Sequence, residues 1–122
     1  MRAIVALIAT LSASAALAQD APSGLADAQG AVLRGLDKVA GTAADIALSV
    51  GQSVDYGQVR ITLHECRYPP ADPSSNAYAF VTVEEKDAEA PAFAGWMIAD
   101  SPALSALDHQ RYDVWVIRCK IE

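Results

Sequence analysis

No cluster of basic residues occurs anywhere in this 122-residue sequence, which has two cysteines, two histidines and no long apolar run beyond its first eighteen positions. Each shortage excludes something. Nine Lys+Arg stand against fifteen Asp+Glu, for a net charge of −6. A chain without a basic face cannot neutralise a phosphate backbone, so nucleic acid is not an expected partner. The only soft or borderline metal ligands are His64, Cys66 and His109, whereas a zinc site needs three or four convergent groups, so neither a metal nor any other cofactor is expected. No Gly-x-Ser-x-Gly elbow is present. The length supports one core and leaves no room for a second domain.

What is present begins at the N-terminus. Arg2 supplies a positive start, Ala3 to Leu11 is almost wholly apolar, and small residues follow as far as Ala16-Leu17-Ala18. This order of charge, apolar core and A-x-A is that of a secretory signal peptide. The expected organisation is a signal peptide over 1–18, a flexible leader over 19–30 and a single β domain over 31–122. The apolar run is too short for an ordinary membrane-spanning helix, so no span is expected after cleavage, and the expected location is the periplasm.

Export gives the two cysteines their meaning. In an oxidising compartment the only pair, Cys66 and Cys119, is expected to form a disulfide. Closing so long a loop is worth about 4 kcal/mol by the chain-entropy argument. The strand patterns complicate this. In a regular strand Cys66 falls on the face of Thr62 and His64, opposite Val59, Ile61 and Leu63, while Cys119 shares a face with Trp115 and Ile117. Either a bulge near Glu65 flips the register, or the two strands are sheet neighbours bridged on a semi-polar face.

Periodicity two dominates the domain. Strands are predicted at Ala31 to Lys38, Ala44 to Val50 with Ile46, Leu48 and Val50 inward, Ser53 to Tyr56, Gln58 to Tyr68, Ala77 to Glu85, Phe93 to Ala99 and Tyr112 to Ile121. Pro69 to Asn76 is a loop by proline density. Ser101 to His109 alone suggests a helix, with Ser101 as N-cap, Pro102 at the first helical position, and Leu104 and Leu107 toward the sheet. The expected fold is all-β: a small antiparallel β-sandwich or barrel of about seven strands, with one short helix near the C-terminal end.

Val32 to Gly41, Gly57 to Thr62 leading into Cys66-Arg67-Tyr68-Pro69-Pro70, Phe93 to Leu107 and Tyr112 to Cys119 together resemble the domain of unknown function family 2155. The resemblance covers nearly the whole chain from Ala31. It departs at Ile98, Asp100 and Gln110, where Phe, Ser and Pro are expected. It implies an exported alphaproteobacterial protein and carries over no activity.

Candidate chemistry is sparse. Ser101 or Ser105 with Asp108 and His109 would need a base oriented by a third group, but sequence neighbours point apart. Glu84 and Glu85 face opposite sides of a strand. The aromatic residues are more informative. Trp115, beside Ile117 and Cys119, is expected in the core against the disulfide. Trp96 follows a glycine that permits close approach. With Met97, Ser101 and Pro102 it forms the candidate binding surface, because rigid aromatic anchors and flexible methionines dominate interfaces. The expected function is a non-catalytic periplasmic binding or envelope-associated module whose partner is an envelope protein or glycan. The alternatives are a periplasmic hydrolase of envelope carbohydrate or peptide, and an accessory protein docked on a membrane complex. A hydrolase predicts a cleft with converging titratable groups; a docking module predicts an apolar patch rimmed by polar residues.

Overall fold

A computed structural model describes residues 24–121. The expected signal peptide lies outside the described residues. Among the described residues nine strands form, all paired antiparallel: β1 (Ala26–Asp27), β2 (Gly30–Asp37), β3 (Thr42–Ser49), β4 (Ser53–Tyr56), β5 (Val59–Tyr68), β6 (Tyr78–Glu85), β7 (Phe93–Ile98), β8 (Leu107–Asp108) and β9 (Tyr112–Lys120). One sheet has the order β1-β5-β6-β7, with β4 also on β5; the other has the order β3-β2-β9-β8. The inner faces of the two sheets share one core, which includes Leu33, Leu48, Ile61, Leu63, Val81, Val83, Met97, Val114 and Val116. Each such side chain contributes about 1.5–3 kcal/mol by leaving water.

Both cysteines reach that core by the same device. Along β5, Val59, Ile61 and Leu63 point inward, and the register with β6 then shifts so that His64 has no opposite number and Cys66 returns to the interior. Along β9, Tyr112, Val114 and Val116 point inward, the register with β2 shifts at Ile117, and Cys119 returns likewise. One extra residue per strand reverses the face that follows it. The bond Cys66–Cys119 joins the two sheets, with Cα atoms 5.8 Å apart and a sequence separation of 53. The bulge expected near Glu65 is therefore present, and a second one matches it.

The second bulge corrects the expectation for Trp115. Because the face changes between Val116 and Cys119, Trp115 lies on the outer side of its sheet, opposite Arg34 in the β2 register, and is only half-buried. Further expectations are corrected. Ser101 to His109 is not helical. A single turn closes with Leu104 N–H donating to the Ser101 carbonyl at 3.0 Å, and Leu107–Asp108 then pairs with β9. One turn cannot repay helix nucleation, and the backbone a second turn would need is used by a strand. The Ser101 hydroxyl donates to Asp100 at 3.0 Å and caps nothing. Leu107 is 3% exposed and Leu104 is 80% exposed, so only one of the expected pair faces the core. Val50, expected inward, is 42% exposed, because β3 ends at Ser49 and the turn through Gly51 carries Val50 off the inner face. Part of the expected leader is ordered as well: Ala26 and Asp27 pair with Tyr68 and Arg67, and Ala28 N–H donates to the Cys66 carbonyl at 2.7 Å.

Candidate functional site

The outer face of β5, β6 and β7 carries an aromatic row. In a strand successive side chains alternate faces, so while Ala79, Val81 and Val83 of β6 point inward, Tyr78, Phe80 and Thr82 point outward. The register sets Phe80 opposite Trp96 and Tyr78 opposite Ile98 on β7, and on the other side sets Glu65 opposite Phe80 and Arg67 opposite Tyr78. Phe80 and Trp96 meet edge to face with ring centroids 5.3 Å apart, and His64 meets Phe80 in the same manner at 5.6 Å. Such pairs add about 0.5–1.5 kcal/mol beyond area burial. All four apolar members of the row remain partly exposed.

Arg67 borders the row and lies over the Trp96 ring, its guanidinium carbon 5.4 Å from the centroid. Its Nη2 donates to Glu65 at 3.3 Å. An Asp27 oxygen lies 3.3 Å from Nε but out of line with the N–H, so Nε is buried without a hydrogen-bond partner. The ion-pair distance gives electrostatic balance, while the donor itself is left unsatisfied. At the end of the row, Asn76 donates to the Tyr78 hydroxyl at 3.1 Å and accepts from Ala77 N–H at 2.8 Å and Asp100 N–H at 3.0 Å. The proline loop and the end of β7 are thereby fixed around the aromatic residues.

The residues expected to form one surface separate. Trp96 belongs to the aromatic row. Met97, its neighbour on the opposite side of the strand, is 0% exposed and part of the core, which corrects its assignment to a binding surface. Ser101 is half-buried. Pro102 is exposed and lines a different depression, with Ala103, Ala106, Leu107, Asp108, Asp113 and Trp115. Phe80, Tyr78, Ile98 and Arg67 are not part of the binding surface expected from the sequence, although Tyr78 and Phe80 belong to its aromatic set. A signal existed in Tyr78-Ala79-Phe80-Val81, where both alternating sets are apolar although only one can face the core.

A polar notch at the other end of β5 and β9 gathers Gln58, Glu85, Lys86, His109, Arg111 and Tyr112 around a depression of about 260 Å³. Arg111 N–H donates to His109 Nδ1 at 3.0 Å, so Nδ1 is the acceptor nitrogen and the proton sits on Nε2, which donates to Glu85. The ring stacks on Tyr112 with centroids 5.6 Å apart. The Tyr112 hydroxyl accepts from Gln58 N–H at 3.2 Å. Arg111 holds Asp37 through Nη2 at 3.2 Å, and Asp37 also accepts from Val39 and Ala40 N–H, each at 3.0 Å. The Ala40 amide and the Arg111 guanidinium together hold the Asp37 carboxyl below its ordinary range, and Asp37 raises Arg111 in return. Both imidazole nitrogens are engaged, so the notch has no free lone pair on its histidine for a general base. Among the described residues, no group of three or more His, Cys, Asp or Glu converges as a metal site, and no helix is long and apolar enough to cross a membrane.

Against this geometry, residues 31–119 match the family described as an uncharacterized protein conserved in bacteria, DUF2155. The chain belongs to this family. It is also similar to an uncharacterized protein of Rickettsia prowazekii (strain Madrid E), 33% identical over 88 residues. That match covers 69% of this chain and 56% of the relative, so the chain spans little more than half of the relative's length. No solved structure matches.

Proposed function

We propose that this member of the family is an exported, non-catalytic binding module of the periplasm, a disulfide-pinned β-sandwich that holds an envelope protein on the outer face of β5, β6 and β7. The supporting observation is the partly exposed row Tyr78, Phe80, Trp96 and Ile98, rimmed by His64, Glu65, Arg67 and Thr82. An apolar patch with a polar rim is the mark of a docking surface. A protein partner is favoured over a glycan because Arg67 already lies over the Trp96 ring, and sugars stack on open ring faces. The hydrolase reading lacks support, since the titratable groups of the notch bond one another. Export is supported by the charge, apolar core and A-x-A order at the N-terminus, and an oxidising location by the disulfide.

The test is a photoreactive side chain placed at Ala94, which lies opposite Thr82 on this face, and separately at Arg118 on the other sheet. Irradiated cells fractionated by osmotic shock should yield one discrete adduct in the periplasmic fraction from position 94 and none from position 118. Equal adducts from both positions, or protein retained in the cytoplasm, would defeat the reading.

A further inference from the structure

The sheets manage their edges unequally. The outer side of β5 is filled by β4 at one end and β1 at the other, with the Gly51-Gln52 turn between them: Gly51 N–H donates to the Leu63 carbonyl at 2.7 Å, and Leu63 N–H to the Gln52 carbonyl at 3.1 Å. The free side of β7 is met by the loop after it, whose Ser105 hydroxyl donates to the Trp96 carbonyl. β8 has two residues, and beyond it β9 is broken by the bulge at Ile117. β3 is different. All eight of its residues pair with β2 without a register shift, and among the described residues no strand lies on its other side.

The backbone groups that face outward can be identified. Val50 N–H donates to the Gln29 carbonyl at 2.8 Å, on the β2 side. Antiparallel strands alternate, so Leu48, Ile46 and Ala44 also turn their N–H and C=O toward β2, while Ser49, Ala47, Asp45 and Ala43 turn theirs away. The Ser49 groups are taken by Gln52, whose side-chain oxygen accepts at 2.9 Å and whose N–H donates at 2.9 Å. Ala43, Asp45 and Ala47 are left, all exposed. Natural edges of this length are usually blunted by lysine, proline, a bulge or a cover. β3 has none of these, and its one charge, Asp45, is paired with Arg34 Nε at 2.9 Å.

We propose that β3 is a self-association edge, through which two copies of this chain pair antiparallel about a two-fold axis into one continuous sheet. The occupant follows from charge and pattern. The chain carries −6 overall, yet this edge holds only one neutralised carboxylate, so two acidic copies meet least repulsion here. A pairing centred on Asp45 would set two carboxylates opposite each other and is disfavoured. A pairing centred on Ile46 sets Asp45 opposite Ala47 of the other copy, twice, with their outward N–H and C=O groups exchanged. It also brings the two Ile46 side chains together as a close, non-hydrogen-bonded pair and sets Ala44 against Leu48.

The experiment is sedimentation equilibrium of the oxidised, signal-cleaved protein over a concentration series. A reversible dimer is expected. Ala47→Pro removes an outward N–H and leaves the β2 ladder intact, so it should give a monomer with the far-UV spectrum of the parent. Ala47→Asp should weaken the dimer about tenfold or more, and Ala47→Lys should tighten it, because position 47 faces Asp45 of the other copy. A parent that stays monomeric to about 1 mM overturns the proposal. So does a dimer indifferent to Ala47→Asp, which would place the interface elsewhere, and so does a monomer that accepts only a heterologous strand on β3.

Discussion

β5 and β9 face each other across the core and are tied at both ends, but by different chemistry. At one end Cys66 and Cys119 are bonded covalently behind a pair of matched bulges. At the other, the Tyr112 hydroxyl accepts from Gln58 N–H, and its ring packs between Tyr56, His109 and the Arg111–Asp37 pair. Glycine permits this closeness at two points: a side chain at Gly57, which has φ +58°, would collide with the Tyr112 ring, and one at Gly35 would fall 2.7 Å from the Tyr56 ring. The covalent tie answers to redox conditions alone; the polar tie answers to pH and to single atoms. A small domain with a thin core thus depends on cross-ties of two independent kinds.

Removing the covalent tie should have the largest effect. Cys66→Ala with Cys119→Ala is expected to lower unfolding free energy by about 4 kcal/mol in urea melts, a large share of what a domain of this size has. Intact mass of the protein purified without reductant should show no free thiol. A loss below about 1 kcal/mol would mean that the bulges, not the bond, hold the two sheets in register.

The opposite tie should respond more mildly. Tyr112→Phe leaves Gln58 N–H without its acceptor and should cost about 1–2 kcal/mol, with little change of structure. pH adds a second handle on the same end. The Asp37 carboxyl is depressed in the folded chain, so its contribution is present above the ordinary carboxylate range and is lost as pH falls through and below about 4. Stability should therefore decline on acidification in the parent and decline less in Asp37→Asn. Equal slopes in both would remove Asp37 from the account.

How much of this was legible in the residues follows from the range of the signal each feature gives. Alternation located the long strands, with Ser53–Tyr56 matched at both ends, because a period of two is a local property of the chain. The bulge at Ile117 left no such trace: an extra residue is defined by its partner strand, so Trp115 and Cys119 read as one face when they are not. The turn at Ser101 has the residues of a helix start, but Leu107–Asp108 is claimed by β9, a tertiary preference that outweighs propensity. In the candidate site, Trp96 was visible from its isolation after Gly95. Its row was not, because Phe80 and Arg67 join it only through the registers of β6 with β7 and β5. The smallest expected effect follows from the same correction: Leu104→Ser should change stability by less than about 0.5 kcal/mol, since Leu104 is in water. A loss of about 2 kcal/mol or more would restore the helix with Leu104 against the sheet.

The central claim, that the outer face of β5, β6 and β7 holds a partner while the core and its two ties hold the fold, is tested most directly by Trp96→Ala, measured for its melt and for the yield of the adduct from Ala94 in the same cells. Trp96 is half-buried against Phe80 and Arg67, so the substitution should cost about 1–2 kcal/mol and leave the protein folded, while the adduct disappears. A domain that unfolds, with a loss of about 3–5 kcal/mol, would make Trp96 a core residue; a folded domain with the adduct undiminished would place the binding surface elsewhere.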